Sequence, residues 1–285
     1  MDRIIAGTMT WGAWGRNFST AEIAQLIEES VEVGLTSFDH ADIYGGYTTE
    51  QAFGKGFVES NISREQVRHI SKCGIQYPCE KRPLNVKHYD YSKKHIIASV
   101  ENSLKNLQTD YLDLLLLHRP SPLMDVNEIA AAFQSLSKEG KVKSFGVSNF
   151  SPSQLQLLQK DVVLDWNQIE CSLSETSAMF DGTLDYHQTH GIGTMAWSPL
   201  GTYFKEESPA GKRVKKLLIN LCQKYSLSED QLLLVWLLQH PAKIYPVVGT
   251  TRIERLKAAK EATTVELDVQ DWFLLLEAQK GEKVP

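Results

Sequence analysis

The sequence predicts an α/β fold, a (β/α)8 TIM barrel closed by a C-terminal helix, and three observations lead there. Short β-like runs alternate with amphipathic helical stretches from one end of the 285 residues to the other, eight times over. That alternation implies parallel strands joined by right-handed crossovers. The length suits one such barrel, so a single domain spanning residues 1–285 is expected. No Gly-x-Gly-x-x-Gly turn follows the first strand, which disfavours a doubly wound dinucleotide-binding sheet.

Taken in order, Ile4–Thr8 reads as the first strand, and Ser19-x-x-Glu22 is a capping box that opens a helix to about Val33. Leu35–Phe38 is the second strand, followed by a helical segment around Thr49–Val58. Val67–Lys72 is the third strand and Ser92–Leu107 its helix. Tyr111–His118 holds the run Leu114-Leu115-Leu116-Leu117, as expected of a strand covered on both faces. Ile129, Ala132, Phe133 and Leu136 then mark one face of a helix closed by Gly140. Val142–Ser148, Leu164–Ile169 and Gly193–Trp197 are three further strands, with helices near Pro152–Gln159 and Thr183–Thr189 between them. Helical stretches Val214–Tyr225 and Ser228–Gln239 precede the eighth strand, Ile244–Val248. Thr251–Ala262 and the terminal helix Asp268–Ala278 complete the pattern.

Composition narrows the function classes. Apolar residues make up 42% and charged residues 23%, ordinary for a globular chain with a large core. A net charge of -5 argues against a nucleic-acid partner, which needs a basic face. No apolar run approaches the length of a membrane span or a signal h-region. Cys73, Cys79, Cys171 and Cys222 are scattered without a C-x-x-C pair, so free thiols in a reducing, cytoplasmic setting are expected, with no metal site. The oligomeric state stays open, with a monomer favoured.

In such barrels the chemistry gathers where strands end and helices have not begun. The polar residues there include Asp39, His40, Asp42 and Tyr44 after strand two, Lys72 ending strand three and His118 ending strand four. Adding hydride to a carbonyl builds negative charge on oxygen, so the site needs a proton donor and a second group to hold that oxygen. A free phenol, with a pKa of about 10, exchanges protons poorly near neutrality. A nearby ammonium favours the phenolate, and a buried carboxylate keeps that ammonium charged. Lys72 and Asp39 suit those parts toward Tyr44, and His118 suits recognition of the substrate oxygen. Each residue alone is commonly a packing or surface group; the set at three successive strand ends is what points to catalysis.

The end of the last strand carries a physical signal for an anion. Gly249-Thr250-Thr251-Arg252 joins the last strand to a helix, so backbone N–H groups and a helix N-terminus would face an anion. Arg252 and Arg255 supply positive charge beside it. Trp11 and Trp14, after strand one, would line the substrate pocket with Tyr44 and His118.

These motifs, in order, resemble the aldo/keto reductase superfamily, and within it look most like the bacterial YdhF-like branch. The resemblance is carried by Phe38-Asp39-His40-Ala41-Asp42-Ile43-Tyr44-Gly45-Gly46, Ser71-Lys72-Cys73-Gly74, Leu117-His118-Arg119-Pro120 and Gly146-Val147-Ser148-Asn149-Phe150. Asn167-Gln168-Ile169-Glu170, Ala196-Trp197-Ser198-Pro199-Leu200-Gly201 and Pro246-Val247-Val248-Gly249-Thr250-Thr251 extend it over nearly the whole chain. The resemblance implies an NADPH-dependent reductase of small carbonyl substrates, with NADH as a possible alternative. It makes Asp39, Tyr44, Lys72 and His118 the catalytic tetrad, with Tyr44 as general acid/base. It places Ser148, Asn149 and Gln168 at the nicotinamide carboxamide and Trp197 against the nicotinamide ring. Ser198, Leu200, Gly249, Thr250, Thr251, Arg252 and Arg255 would complete the cofactor site.

The chain departs from the family pattern where relatives place a Lys at Gly249 and Glu-Asn at Ala258-Ala259, which weakens strict NADPH selectivity. It also begins almost on its first strand, so the hairpin that usually plugs the barrel floor is expected to be missing. With a short segment after His118 and a moderate Gly201–Arg213 loop, a pocket open on one side and tolerant of varied carbonyls is expected. Two rival readings remain. Asp39-His40-x-Asp42 with His118 offers ligands for a metal-dependent hydrolase; alternatively, the fold would bind NADPH as a sensor without turnover.

Overall fold

A computed structural model describes residues 1–205 and 207–284 of the protein. Eight parallel strands close into a barrel, and each is short because only the segment buried on both faces keeps ladder geometry. They are β1 (Ile5–Gly7), β2 (Ser37–Asp39), β3 (Arg68–Cys73), β6 (Leu114–Leu117), β7 (Phe145–Ser148), β8 (Trp166–Glu170), β9 (Gly193–Trp197) and β10 (Tyr245–Val248). The order around the barrel is β1-β10-β9-β8-β7-β6-β3-β2. The fourth barrel strand, expected over Tyr111–His118, is thus confined to its leucine run; Leu112 makes only an isolated bridge to Val142.

The helices are α1 (Thr20–Glu32), α3 (Thr49–Glu59), α4 (Lys93–Leu107), α5 (Val126–Lys138), α6 (Pro152–Leu158), α7 (Thr183–His190), α8 (Pro209–Tyr225), α9 (Glu229–Leu238), α10 (Ile253–Glu261) and α11 (Val269–Lys280). The capping box at Ser19 and Glu22 is present. Helix α8 begins five residues before the expected Val214, because Ser208 caps it and Pro209 suits a first helical position. The preceding loop is therefore shorter than expected, and its residue 206 lies outside the described residues. Helix α10 starts at Ile253 rather than Thr251, leaving Thr250–Arg252 as the connection. No helix among the described residues is long and apolar enough to cross a membrane.

Two features escaped the sequence pattern. The segment α2 (Tyr44–Tyr47) is a turn rather than a helix, since Gly45, Gly46 and Tyr47 hold φ of 62°, 64° and 68°. A Cβ on Gly45 would stand 2.6 Å from both the Thr48 and Thr49 hydroxyls, so a side chain there would be both crowded and strained. A two-stranded hairpin, β4 (Ile75–Gln76) and β5 (His88–Tyr89), projects beyond β3. Its strands are two residues each, too short to show alternation.

The inner barrel is packed, not open. Ile5, Ile70, Leu114, Leu116, Met195 and Val247 fill it, with Met1, Trp166 and Tyr245 against that cluster. Among the described residues no strand precedes β1. The larger core lies between strands and helices, where Trp11, Phe38, Phe53 and Trp236 are fully buried.

Candidate active site

Parallel pairing places the ends of β2, β3 and β6 side by side: Asp39 lies opposite Ile70, and Lys72 opposite Leu116. Inward-facing side chains at those ends therefore meet. The Lys72 ammonium, 1% exposed, donates to Asp39 Oδ2 at 2.7 Å, to the His40 carbonyl at 2.8 Å and to Tyr44 Oη at 3.2 Å. Three acceptors satisfy its three donors, which is what a buried ammonium needs. Asp39 spends its other oxygen on Gln168 Nε2 at 3.0 Å, tying the cluster across the barrel to β8.

Burial alone would lower the Lys72 pKa, but Asp39 and Tyr44 outweigh it and the net shift is upward, so the residue stays charged. Tyr44 is pushed above its ordinary range, chiefly by burial and secondarily opposed by Lys72. The lysine therefore limits the rise without generating a resting phenolate. His118 is held well below its usual value, first by burial and then by Lys72, Arg119 and Lys87. It is a neutral imidazole near pH 7, edge-on to Tyr44 with ring centroids 6.1 Å apart, and its Nδ1 is buried without a partner.

The ends of β7, β8 and β9 bring a second set together. Asn149, at φ 61°, donates through its side-chain amide to Ser148 Oγ at 2.7 Å. Its amide oxygen accepts from Trp197 Nε1 at 2.9 Å, and its backbone N–H donates to the Gln168 carbonyl at 2.9 Å. Trp197 is thus fixed by its edge, which leaves the ring plane as its contact surface. Ser198, at φ 49°, turns the chain out of β9, and Leu200 packs onto the core.

Next around the barrel, the Gly249 carbonyl accepts from Thr10 Oγ1 at 3.2 Å. A Cβ on Gly249 would meet nothing within 4 Å. Arg252 caps α10 without a side-chain cap bond, and both Arg252 and Arg255 are exposed. The two halves of the cofactor reading thus sit on adjoining strands.

The expected pocket lining is half corrected. Trp14, 40% exposed, stands 6.2 Å from the Tyr44 ring and 5.3 Å from Tyr77. Trp11 does not line the site: it is 0% exposed and packs on Phe38 and Phe53 at 6.0 and 5.7 Å. The turn that closes from Trp11 N–H to the Thr8 carbonyl folds it back into the core. Tyr77, absent from the sequence reading, comes from the hairpin; its N–H donates to Tyr47 Oη at 2.8 Å, and Tyr47 donates on to the Ile75 carbonyl. Trp14 and Tyr77 together form an aromatic wall beside Tyr44.

The residues of the metal-hydrolase reading do not converge. His40 turns behind β2, bonded to Thr8 Oγ1 at 2.9 Å and packed on Phe53. Asp42 is buried with neither oxygen bonded, and burial, then Glu50, pushes its carboxyl well up. Among the described residues no three metal-ligating side chains gather, and all four cysteines are free.

The chain is similar to known proteins along nearly its whole length. The family model described as the aldo/keto reductase family matches residues 3–279. Oxidoreductase YdhF of Escherichia coli (strain K12) is 40% identical, over 96% of this chain and 93% of its own. The 6-dehydroglucose reductase of Agrobacterium fabrum is 39% identical, over 99% and 97%. Among solved structures, the thermostable aldo-keto reductase Tm1743 in complex with the inhibitor epalrestat superposes with a TM-score of 0.82 at 26% identity, over 98% of this chain and 95% of its own.

Proposed function

We propose, starting from the fact that this chain belongs to the aldo/keto reductase family of oxidoreductases, that it reduces aldehydes or ketones to alcohols with NADPH, using Tyr44 as proton donor. The observation that carries the reading is the buried chain from Asp39 through Lys72 to Tyr44, with links of 2.7 and 3.2 Å beside a neutral His118.

NADPH, when bound, supplies the hydride. The residues present fit it: Trp197 is edge-tethered with Arg119 over one face of its ring, Gly249 has open space at its Cβ position, and α10 begins without a side-chain cap. In this reading Ser148, Asn149 and Gln168 hold the carboxamide and Trp197 supports the nicotinamide. Ser198 and Leu200 line the path outward, and Gly249, Thr250, Thr251, Arg252 and Arg255 receive the phosphates. Preference for NADPH over NADH rests on the two arginines.

The tetrad then works in sequence. A carbonyl oxygen between Tyr44 and His118 gains negative charge as its carbon accepts hydride. His118, neutral, donates an N–H to that oxygen, and Tyr44 transfers its proton to it. The phenolate left behind faces the Lys72 ammonium, which Asp39 keeps charged and aimed. Burial keeps Tyr44 protonated at rest, so the donor is loaded before substrate arrives.

The test is loss of reduced-nicotinamide absorbance when the protein is mixed with NADPH and a panel of reactive aldehydes. The carbonyl sugar in the name of the Agrobacterium relative is a rational first member. Turnover that survives a chelator and disappears in Tyr44→Phe is expected. Cofactor quenching of tryptophan fluorescence with no turnover of any carbonyl would instead favour a sensor.

A further inference from the structure

Arg119 follows His118 directly where the chain leaves β6. One phenol fixes its backbone from both sides: the Arg119 N–H donates to Tyr91 Oη at 3.0 Å, and the Tyr91 hydroxyl donates to the Arg119 carbonyl. Tyr91 is itself buried and seated on Gly74, where a Cβ would stand 2.0 Å from the ring. The side chain is therefore launched from a rigid base.

The guanidinium of Arg119 lies over the Trp197 ring, 5.2 Å from its centroid. No salt bridge among the described residues takes it. It adjoins His118 in the chain, and its charge is felt at His118, at Tyr44 and at Glu170 on the end of β8. Lys87, from the hairpin, adds a second positive charge felt by His118. A guanidinium presents five donors in a planar fork, stays ionised, and pairs bidentately with carboxylate or phosphate.

We propose that Arg119 is a specificity-determining residue that binds a carboxylate or phosphate group carried by the carbonyl substrate, so that anionic aldehydes or ketones are the preferred class. This rests on the reductase reading above. The aromatic wall of Trp14 and Tyr77 would hold the uncharged body of such a substrate, while Arg119 sets which end faces away from Tyr44.

Matched pairs test it on the whole protein with NADPH: butanal against 4-oxobutanoate, and glyceraldehyde against glyceraldehyde 3-phosphate. For at least one pair the charged member should have a kcat/KM about 10- to 100-fold higher, carried mainly by KM, as expected for a charge-assisted pair. That advantage should shrink with added salt. Arg119→Gln should abolish it by raising the KM of the charged member far more than that of the neutral one, and Arg119→Lys should keep part of it. The proposal is overturned if wild type reduces neutral and charged members equally well. It is equally overturned if Arg119→Gln slows both members alike, which would make Arg119 a support for Trp197. Failure to reduce any member removes the reductase reading, and this proposal with it; turnover of the neutral members separates the two failures.

Discussion

At the ends of β2 and β3, Asp39, Lys72 and Tyr44 are buried and bonded to one another, whereas at the end of β10 the arginines Arg252 and Arg255 stand exposed beside an uncapped helix. Both regions border the same barrel mouth, yet only the first is complete without a ligand. On the proposed reading, the difference follows from what each region does. Proton transfer needs groups whose pKa values are set in advance by burial and fixed partners, while binding a mobile polyanion needs accessible donors that remain solvated until it arrives. The first region should therefore respond to substitution in both stability and rate, and the second in affinity alone.

The sharpest way to break that contrast is at Lys72. Replacing it with Met leaves Asp39 buried and uncompensated, a cost of roughly 3–5 kcal/mol by analogy with broken buried pairs. Denaturant melts should show the loss, and Lys72→Met combined with Asp39→Asn should recover part of it. A Lys72→Met protein as stable as wild type would mean the cluster is wetter than its geometry indicates. Tyr44→Phe keeps the ring but removes the proton and one acceptor of the buried Lys72 ammonium, so kcat should fall about 10²- to 10⁴-fold and stability by about 1–3 kcal/mol.

The buried histidines behind the same cluster give a pH signature. Burial, then Arg64, lowers His69 to about 3, and neither of its ring nitrogens has a partner. The unfolded chain binds that proton near the ordinary value of about 6.5, so below it the unfolded state holds more protons and stability falls with acid. Between pH 7.5 and 5 the loss assigned to this residue is about 2 kcal/mol. Parallel denaturant titrations of wild type and His69→Phe should show the slope flattened in the variant; identical slopes would relocate the acid sensitivity. His40, also lowered by burial and by His69, acts in the same direction.

The smallest effect belongs to the open end. Arg252→Ala and Arg255→Ala should each weaken NADPH about tenfold at low salt, less at high salt, and leave NADH binding and melting temperature unchanged. Tryptophan-fluorescence titrations with both cofactors read this directly. Equal weakening for NADH would remove the 2′-phosphate from the role given to these residues.

Several parts of this site were legible along the chain because they depend on local pattern. The leucine run 114–117 is of the kind found in doubly covered strands, and counting from such runs puts Lys72 and His118 at strand ends. Trp11 was misread because a tryptophan after a strand has the same sequence signature whether its loop folds outward or inward; the Thr8 turn decides, and it closes through backbone atoms. Tyr77 was missed because a hairpin of two-residue strands carries no periodicity. Arg119 stood in a quoted motif but had no role, since its meaning lies in Trp197 and Tyr91, 78 and 28 residues away by number.

The sequence by itself determined the alternation of strands and helices, hence the barrel, and which residue types stand at its mouth. That is so because hydrophobic periodicity and caps act over a few residues. Only the tertiary structure decided which of those residues touch, which are buried and in what charge state, and where the open faces lie. Partners such as Gln168 and Asp39, far apart in sequence and 3.0 Å apart in space, are set by barrel closure and register, which no local pattern encodes.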